Sequence, residues 1–238
     1  PLLIREHPCE RLLPWSTGVE RPQDRRAGPK NWRAIVIGLF RAIVLPMSLL
    51  LIFIEACNRI TSGVLISLAP IVTVQDLGWT QLAYANWIAL TGVTAAVLGV
   101  LCSPWIDRIG ALRVLKWIVM FRVVMFALTA ALEPYWGIHQ VFEAFLMINA
   151  VATQLVTVTL IALFMRLCSQ RVAASQFAVY MALANMTYSL GSGLMVPLSH
   201  WTHPAGIMLF CAILIALMWL LIHWVNFERH DLDLSRLD

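Results

Sequence analysis

Apolar runs separated by short polar connectors dominate the chain after residue 33. The first run, from residue 34 to residue 74, is longer than the ~20 residues that one membrane-spanning helix needs, and Pro46 divides it. Before the proline, Arg33 and Arg41 interrupt an apolar pattern that also holds Trp32, which favours an amphipathic helix lying in the membrane interface over residues 34–45. After the proline, residues 47–72 form the first predicted span.

Five more apolar segments of spanning length follow the first one. They cover residues 82–104, 112–132, 140–167, 174–198 and 205–227. The sequence therefore predicts an all-α membrane protein with a six-helix transmembrane domain at residues 46–227. A polar cytosolic linker at 1–33 and the interfacial helix at 34–45 precede this domain, and a short cytosolic tail at 228–238 follows it.

Composition agrees with a membrane protein. Hydrophobic residues make up 60% of the 238 residues and charged residues only 13%, with a mean hydropathy of +0.78. A soluble domain of this length would need more charge on its surface. The chain begins at Pro1 in a polar segment without a signal-peptide pattern, and we expect it to be the C-terminal portion of a longer protein.

Basic residues occur in alternate connectors, and this alternation predicts orientation. The linker, the second and fourth connectors and the tail carry Lys or Arg, whereas the first, third and fifth connectors carry none. The positive-inside rule then places both ends in the cytoplasm, and we expect a bacterial inner membrane. Trp79, Trp136 and Trp201 fall in the outer connectors, where an aromatic belt is expected. The linker's cations alternate with acids, so nucleic acid is not a predicted partner.

Soluble-enzyme chemistry finds little support in the sequence. The five cysteines stand singly, without the spacing of a disulfide framework or a zinc site. No glycine-rich phosphate loop or Ser/His/Asp arrangement is recognisable. We therefore predict no catalytic residue, no metal and no cofactor.

Polar and charged residues inside the spans are the candidates for function, because such residues in membrane helices tend to face the bundle interior or a water-filled path. Glu55 and Arg59 in the first span are four residues apart and share a helix face with Asn58 beside them. An ion pair at this depth is costly, which favours a functional role over simple packing. Arg122 in the third span is interpreted instead as a cation whose side chain reaches the cytoplasmic interface.

Two further spans carry polar stripes at helical spacing. The fourth has Asn149, Thr153 and Gln154, and the fifth has Gln176 and Tyr180. Hydrogen bonding between helices is the simpler explanation for the Ser and Thr positions. Together with the first span, these stripes predict a substrate or proton pathway formed by Glu55, Asn58, Arg59, Asn149, Thr153, Gln154 and Tyr180.

The connector between the second and third spans, LCSPWIDRIGALRVLK, has the pattern D-R-x-G-x-x-R. An acid at the end of one helix and cations at the start of the next can hold two helices together through charge-assisted hydrogen bonds. An ordinary positive-inside loop is the alternative. The motif residues are Asp107, Arg108, Gly110 and Arg113.

In this loop the sequence resembles the major facilitator superfamily, whose loop between its eighth and ninth helices carries a similar G-x-x-x-D-R-x-G-R-R pattern. Ser103 stands in place of the first glycine, and Ala111 and Leu112 in place of the paired basic residues. The stretches RLLPW, PIVTVQDLGWTQ and RLCSQRVAASQFAVYMALANM also look like this superfamily, and in particular like its muropeptide-permease and acetyl-CoA-transporter branch.

The resemblance implies that the six spans are helices seven to twelve of a twelve-helix transporter. The first and fourth spans would then line a central cavity, and the second and fifth would meet a missing N-terminal six-helix half. The implied function is secondary transport of a small amphiphilic or anionic solute by alternating access. The four-residue spacing of Glu55 and Arg59 in an apolar span adds the hypothesis that Glu55 couples this transport to protons. The alternative from another class is a self-contained six-span homo-oligomer that acts as a channel, a signalling component or a membrane-embedded enzyme.

Overall fold

The regular structure of the chain is helical throughout the described part of a computed structural model, which covers residues 32–168, 173–225 and 227. This confirms the all-α fold class. The predicted linker up to residue 31 and the tail lie outside the described residues. The helices are α1 (Trp32–Val44), α2 (Pro46–Pro70), α3 (Gln81–Ile109), α4 (Ala111–Ala131), α5 (His139–Leu167), α6 (Ala173–Trp201) and α7 (Pro204–Ile222).

Proline and glycine explain several of the helix boundaries. α1 ends at Val44 and α2 begins at Pro46, because a proline at the first helical position needs no hydrogen bond to its nitrogen. Pro204 begins α7 in the same way. Gly110 joins α3 to α4 with a φ of 97°, a conformation open to glycine, and its N–H donates to the Ile106 carbonyl.

Five of the helices are long and apolar enough to cross a membrane: α2 with the π-helical turn Ile71–Asp76 that extends it, α3, α4, α5 and α7. α6 has the same length as α3 and α5, 29 residues, but its polar stripe lowers its hydropathy. The sixth span therefore stays a prediction, which the length of α6 and its packing along α2 support.

The six long helices form two units of three, α2–α4 and α5–α7, which have opposite orientations. α2 packs most extensively against α6, and α5 packs in the same way against α3. α2 also contacts α7, α5 contacts α4, and α4 packs against α7. Exchanging α2 with α5, α3 with α6 and α4 with α7 leaves this pattern unchanged. α2 and α5, the first helices of the two units, run in opposite directions. The arrangement is therefore that of an inverted repeat.

The two ends of the bundle differ in their side chains. We call the end that carries Arg108, Arg113, Lys116 and Arg166 the basic end, and the end with the predicted outer connectors the tryptophan end. Two of its three tryptophans are buried: the Trp79 indole donates to His139 Nδ1 at 2.6 Å and the Trp136 indole to the Thr129 carbonyl at 2.9 Å. Trp201 is 84% exposed, so it alone of the three presents most of its ring as an aromatic belt would.

Candidate functional site

Glu55 lies at the centre of a buried polar cluster in α2. It is roughly 14 Å along the helix axis from Pro46, close to half the ~30 Å thickness of a hydrocarbon core. Arg59 Nε donates to Glu55 Oε1 at 2.5 Å, and Asn58 Nδ2 donates to Glu55 Oε2 at 3.3 Å. The predicted pairing of Glu55 with Arg59 is thus present. Both carboxylate oxygens have a nitrogen donor.

Arg122 of α4 joins this cluster, although the sequence interpretation had placed its side chain at the interface. That interpretation is wrong, because the Arg122 side chain is wholly buried. Its Nη1 donates to Asn58 Oδ1 at 2.7 Å and its Nη2 to Asn149 Oδ1 at 3.5 Å, and its guanidinium lies 5.7 Å from the Phe126 ring centroid. These bonds connect α4 to α2 and α5 through the Arg122 side chain.

The charges of the cluster do not balance. Among the described residues it holds two guanidinium groups, Arg59 and Arg122, and one carboxylate, Glu55. Arginine stays protonated in proteins, so the cluster carries one excess positive charge when Glu55 is ionised and two when Glu55 is neutral. Glu55 is 3% exposed, whereas the Arg59 side chain is 22% exposed and reaches the surface of the helix bundle. The excess charge is therefore accessible through Arg59.

Four of the seven predicted pathway residues belong to one hydrogen-bonded cluster, and the other three make no hydrogen bond to it in the described part of the chain. Asn149 contacts Arg122 and so belongs to the cluster with Glu55, Asn58 and Arg59. Thr153, one turn beyond Asn149 on α5, is partly buried, and its hydroxyl has no partner among the described residues. The Gln154 side chain instead packs against Gly99 of α3, where a Cβ on the glycine would lie 2.9 Å from it.

Tyr180 belongs to a second hydrogen-bond chain nearer the basic end. Its hydroxyl donates to Ser48 Oγ at 3.1 Å and accepts from Gln176 Nε2 at 2.6 Å. The Ser48 hydroxyl in turn donates to the Ala42 carbonyl at 2.8 Å. This chain links α6 to α2 and α1. Tyr180 and Glu55 nevertheless line the same small cavity of about 10 Å³ between α2, α5 and α6.

The loop motif connects α3 to α4 without an ion pair in the described part of the chain. Asp107, Arg108 and Arg113 are all exposed at the basic end. The Gly110 carbonyl accepts from the Arg113 N–H at 3.0 Å, which closes the turn through the backbone. The predicted charge-assisted bonds between these side chains are therefore not formed here. Their charges face outward.

The described residues include no group of three or more His, Cys, Asp or Glu side chains that could hold a metal ion. Each of the four described cysteines is unpaired. The Cys211 thiol of α7 is fully buried, and α7 packs against both α2 and α4. The groups that the cluster does contain form charge pairs and hydrogen bonds.

Sequence reasoning missed Arg122 because a single cation between apolar residues has no local partner. A signal was nevertheless present: Arg122 lies 11 residues after the start of α4, a distance of roughly 17 Å, too deep for a relaxed snorkelling side chain. Asn58 and Asn149 were already recognised as polar residues in other spans. Only the packing of the helices shows that all three meet.

Comparison with known proteins places the chain in a family. The family model described as Major Facilitator Superfamily matches residues 51–235, which is more than half of the chain. No curated protein and no solved structure matches the chain. The match includes the helices of the charge cluster and the loop motif, and the inverted-repeat packing agrees with it. The chain therefore belongs to the major facilitator superfamily, and this membership indicates a membrane transporter.

Proposed function

We propose that this chain is part of a secondary active transporter that moves a small anionic or amphiphilic solute across the bacterial inner membrane, coupled to protons. The observation that carries the proposal is the excess positive charge of the mid-span cluster. A buried charge without a counter-ion is costly, and a bound anion would reduce that cost. A cation would meet repulsion at the same place.

Arg59 is the proposed contact for the anionic group of the solute. Its side chain reaches the surface while Glu55 and Arg122 remain enclosed. An ionised Glu55 competes with an anionic solute for the Arg59 guanidinium. Protonation of Glu55 ends that competition, and this exchange would couple proton uptake to solute binding. Asn149 acts in this proposal by holding Arg122 from α5.

A second six-helix half is the proposed partner for the exposed faces of α3 and α6. Large apolar side chains stand exposed along both helices, among them Val93, Val97 and Val100 on α3 and Met186 and Leu190 on α6. Alternating access would rock the two halves about the mid-span cluster. We propose, from the basic connectors, that the basic end faces the cytoplasm and that Asp107 and Arg108 are docking groups there.

Transport by the full-length protein in proteoliposomes tests this function. The solute panel pairs each anionic compound with a neutral analogue of similar size, and it includes muropeptides and short acyl-CoA thioesters as the classes that the branch resemblance favours. We expect uptake of at least one anionic member, with its neutral analogue excluded. The Arg59→Gln variant should lose at least about tenfold in uptake, since a charged hydrogen bond to the solute is removed.

Arg41→Gln is the matched control, because Arg41 is exposed on α1 and outside the cluster. Uptake by this variant should equal that of the wild type. Equal uptake of anionic and neutral analogues would overturn the proposed selectivity, as would an Arg59→Gln variant that transports like the control. A proton gradient that leaves uptake unchanged would remove the coupling role of Glu55.

A further inference from the structure

The side-chain amide of Asn58 connects the two charged parts of the cluster. Its oxygen accepts from Arg122 Nη1 at 2.7 Å, and its nitrogen donates to Glu55 Oε2 at 3.3 Å. Arginine can only donate hydrogen bonds, so Arg122 holds the amide oxygen toward itself. The amide nitrogen must then point away from Arg122, toward Glu55. Asn58 is 1% exposed, so both bonds are shielded from bulk solvent.

Glu55 consequently faces a nitrogen donor at each oxygen. Oε2 meets Asn58, whose orientation Arg122 fixes, and Oε1 meets Arg59, whose side chain is 22% exposed and has space to leave. A proton added to either carboxylate oxygen would compete with the N–H group that already donates to that oxygen. Displacing Asn58 would also break its bond to the buried Arg122, whereas displacing Arg59 returns a charged group to a wetter position.

We infer that Asn58, held by Arg122, is a positioning residue that directs the proton to Glu55 Oε1 and so makes protonation release Arg59. Hydronium from the solvent at the exposed side of Arg59 supplies the proton and leaves as water. An O–H bond forms at Oε1, the hydrogen bond from Arg59 Nε breaks, and Oε2 stays an acceptor for Asn58. This inference rests on the proposed proton role of Glu55, and it adds α4 to the coupling machinery.

The groups around Glu55 are consistent with this assignment. The charged groups that act on it from the described residues are Arg59 on its own helix and Arg122 on α4. From α6, Tyr180 lines the small cavity beside Glu55, but its hydroxyl is engaged with Ser48 and Gln176. From α5, Asn149 bonds to Arg122, and from α7, the buried Cys211 thiol interacts electrostatically with Arg122. Among these side chains only Arg59 combines a bond to Glu55 with partial exposure.

Glu55→Gln imitates the protonated state and allows a test without any solute. In this variant the side-chain oxygen of the introduced glutamine accepts from Asn58, so the new amide nitrogen faces Arg59 and repels it. Arg59 should then react faster with phenylglyoxal, an arginine-specific dicarbonyl reagent. The reaction is followed on the full-length protein in liposomes by mass spectrometry and is normalised to Arg41. We expect a rate increase of about tenfold over the wild type.

A second substitution should reverse this effect. Without the Asn58 amide in Glu55→Gln/Asn58→Leu, the introduced glutamine can turn its oxygen to Arg59, and the reaction rate should fall back by about threefold or more. Glu55→Gln/Arg122→Met frees the Asn58 amide to turn, so the reaction rate of Arg59 should fall in this variant as well. The matched control Glu55→Gln/Asn86→Leu changes an exposed asparagine at the tryptophan end and should keep the high rate.

Two outcomes would overturn the inference. One is an Arg59 rate in Glu55→Gln equal to that of the wild type, and the other is a rate in both double variants equal to that of the control. Using two different double variants protects the test if one of them does not fold, which a thermal unfolding curve for each would show. Because no solute is present, a failure of anion transport would sink the proposed function without deciding the role of Asn58.

Discussion

Gly63 of α2 and Gly191 of α6 lie against each other where these parallel helices pack. A Cβ built on Gly63 would be 3.1 Å from the Gly191 carbonyl carbon and 2.8 Å from the Ser192 backbone nitrogen. A Cβ built on Gly191 would be 2.7 Å from the Ile60 Cα. The backbones therefore approach too closely for any side chain at either position. Small residues at helix contacts have this role in membrane bundles.

Gly191→Ala should destabilise the protein by at least ~2 kcal/mol, because the added methyl group meets backbone atoms that cannot move separately from α2. The matched control is Gly193→Ala two residues away, where nothing lies within 4 Å of the added Cβ. Alanine has the higher helix propensity, so the control should be neutral or slightly stabilising. Thermal unfolding in detergent measures both variants, and equal midpoints would contradict the packing role.

Glu55→Leu should destabilise the folded protein, because it leaves Arg59 and Arg122 without a counter-charge. Removing one member of a buried pair costs ~3–5 kcal/mol, and the partial exposure of Arg59 reduces this to about 2 kcal/mol. The double variant Glu55→Leu/Arg59→Leu should recover part of the loss. Unfolding midpoints of both variants provide the comparison. A double variant less stable than Glu55→Leu would show that Arg59 is stabilised by groups other than Glu55.

The pH dependence of transport should depend on Glu55. With the outside acidic, an inward proton gradient is expected to raise wild-type uptake of the anionic solute, and collapsing the gradient with a protonophore should remove the increase. Glu55→Gln has no proton to exchange, so its remaining uptake should be the same with and without the gradient. Glu143→Gln is the control, since Glu143 lies near the tryptophan end of α5, away from the cluster. A gradient-dependent Glu55→Gln variant would place coupling at another residue.

Gly110→Ala should weaken the α3–α4 connection, because a φ of 97° with a ψ of 126° is strained for any residue with a side chain. We expect a loss of ~1–3 kcal/mol, the usual cost of such a backbone conformation. Gly137→Ala is the control at the tryptophan end, where φ is not positive and no atom lies within 4 Å of the added Cβ. Unfolding midpoints that fall equally in both variants would contradict a special role for Gly110.

Local pattern was sufficient to predict most of the secondary structure. The apolar runs predicted all six long helices, with ends close to those observed for most of them, and Pro46 marked the break between α1 and α2. A membrane helix makes its backbone hydrogen bonds within itself, so its extent depends on a continuous stretch of sequence. The prediction of an aromatic belt agreed less well with the structure, because Trp79 and Trp136 are buried. Their indole groups bond to His139 and Thr129, each of which lies outside the connector of its tryptophan partner.

The candidate site likewise contains contacts that the sequence could predict and contacts that it could not. Glu55, Asn58 and Arg59 could be associated from the sequence because residues three and four apart share a helix face, and their hydrogen bonds are local. Arg122 lies 64 residues from Asn58 and 27 from Asn149, so no spacing along the chain could relate them. Gln154 and Tyr180 belong to the polar stripes of their own helices, but Gln154 packs against Gly99 of α3 and the Tyr180 hydroxyl bonds to Ser48 and Gln176.

The order of residues was therefore enough to specify an α-helical membrane protein, the positions of its helices and the charges that pair within one helix. Each of these properties depends on interactions between residues close together along the chain. Helix packing was needed to show that Arg122 is enclosed in mid-span, that Asn58 connects it to Glu55 and that two guanidinium groups share one carboxylate. Those relations depend on how α2, α4 and α5 meet, and packing brings together side chains that no local pattern links.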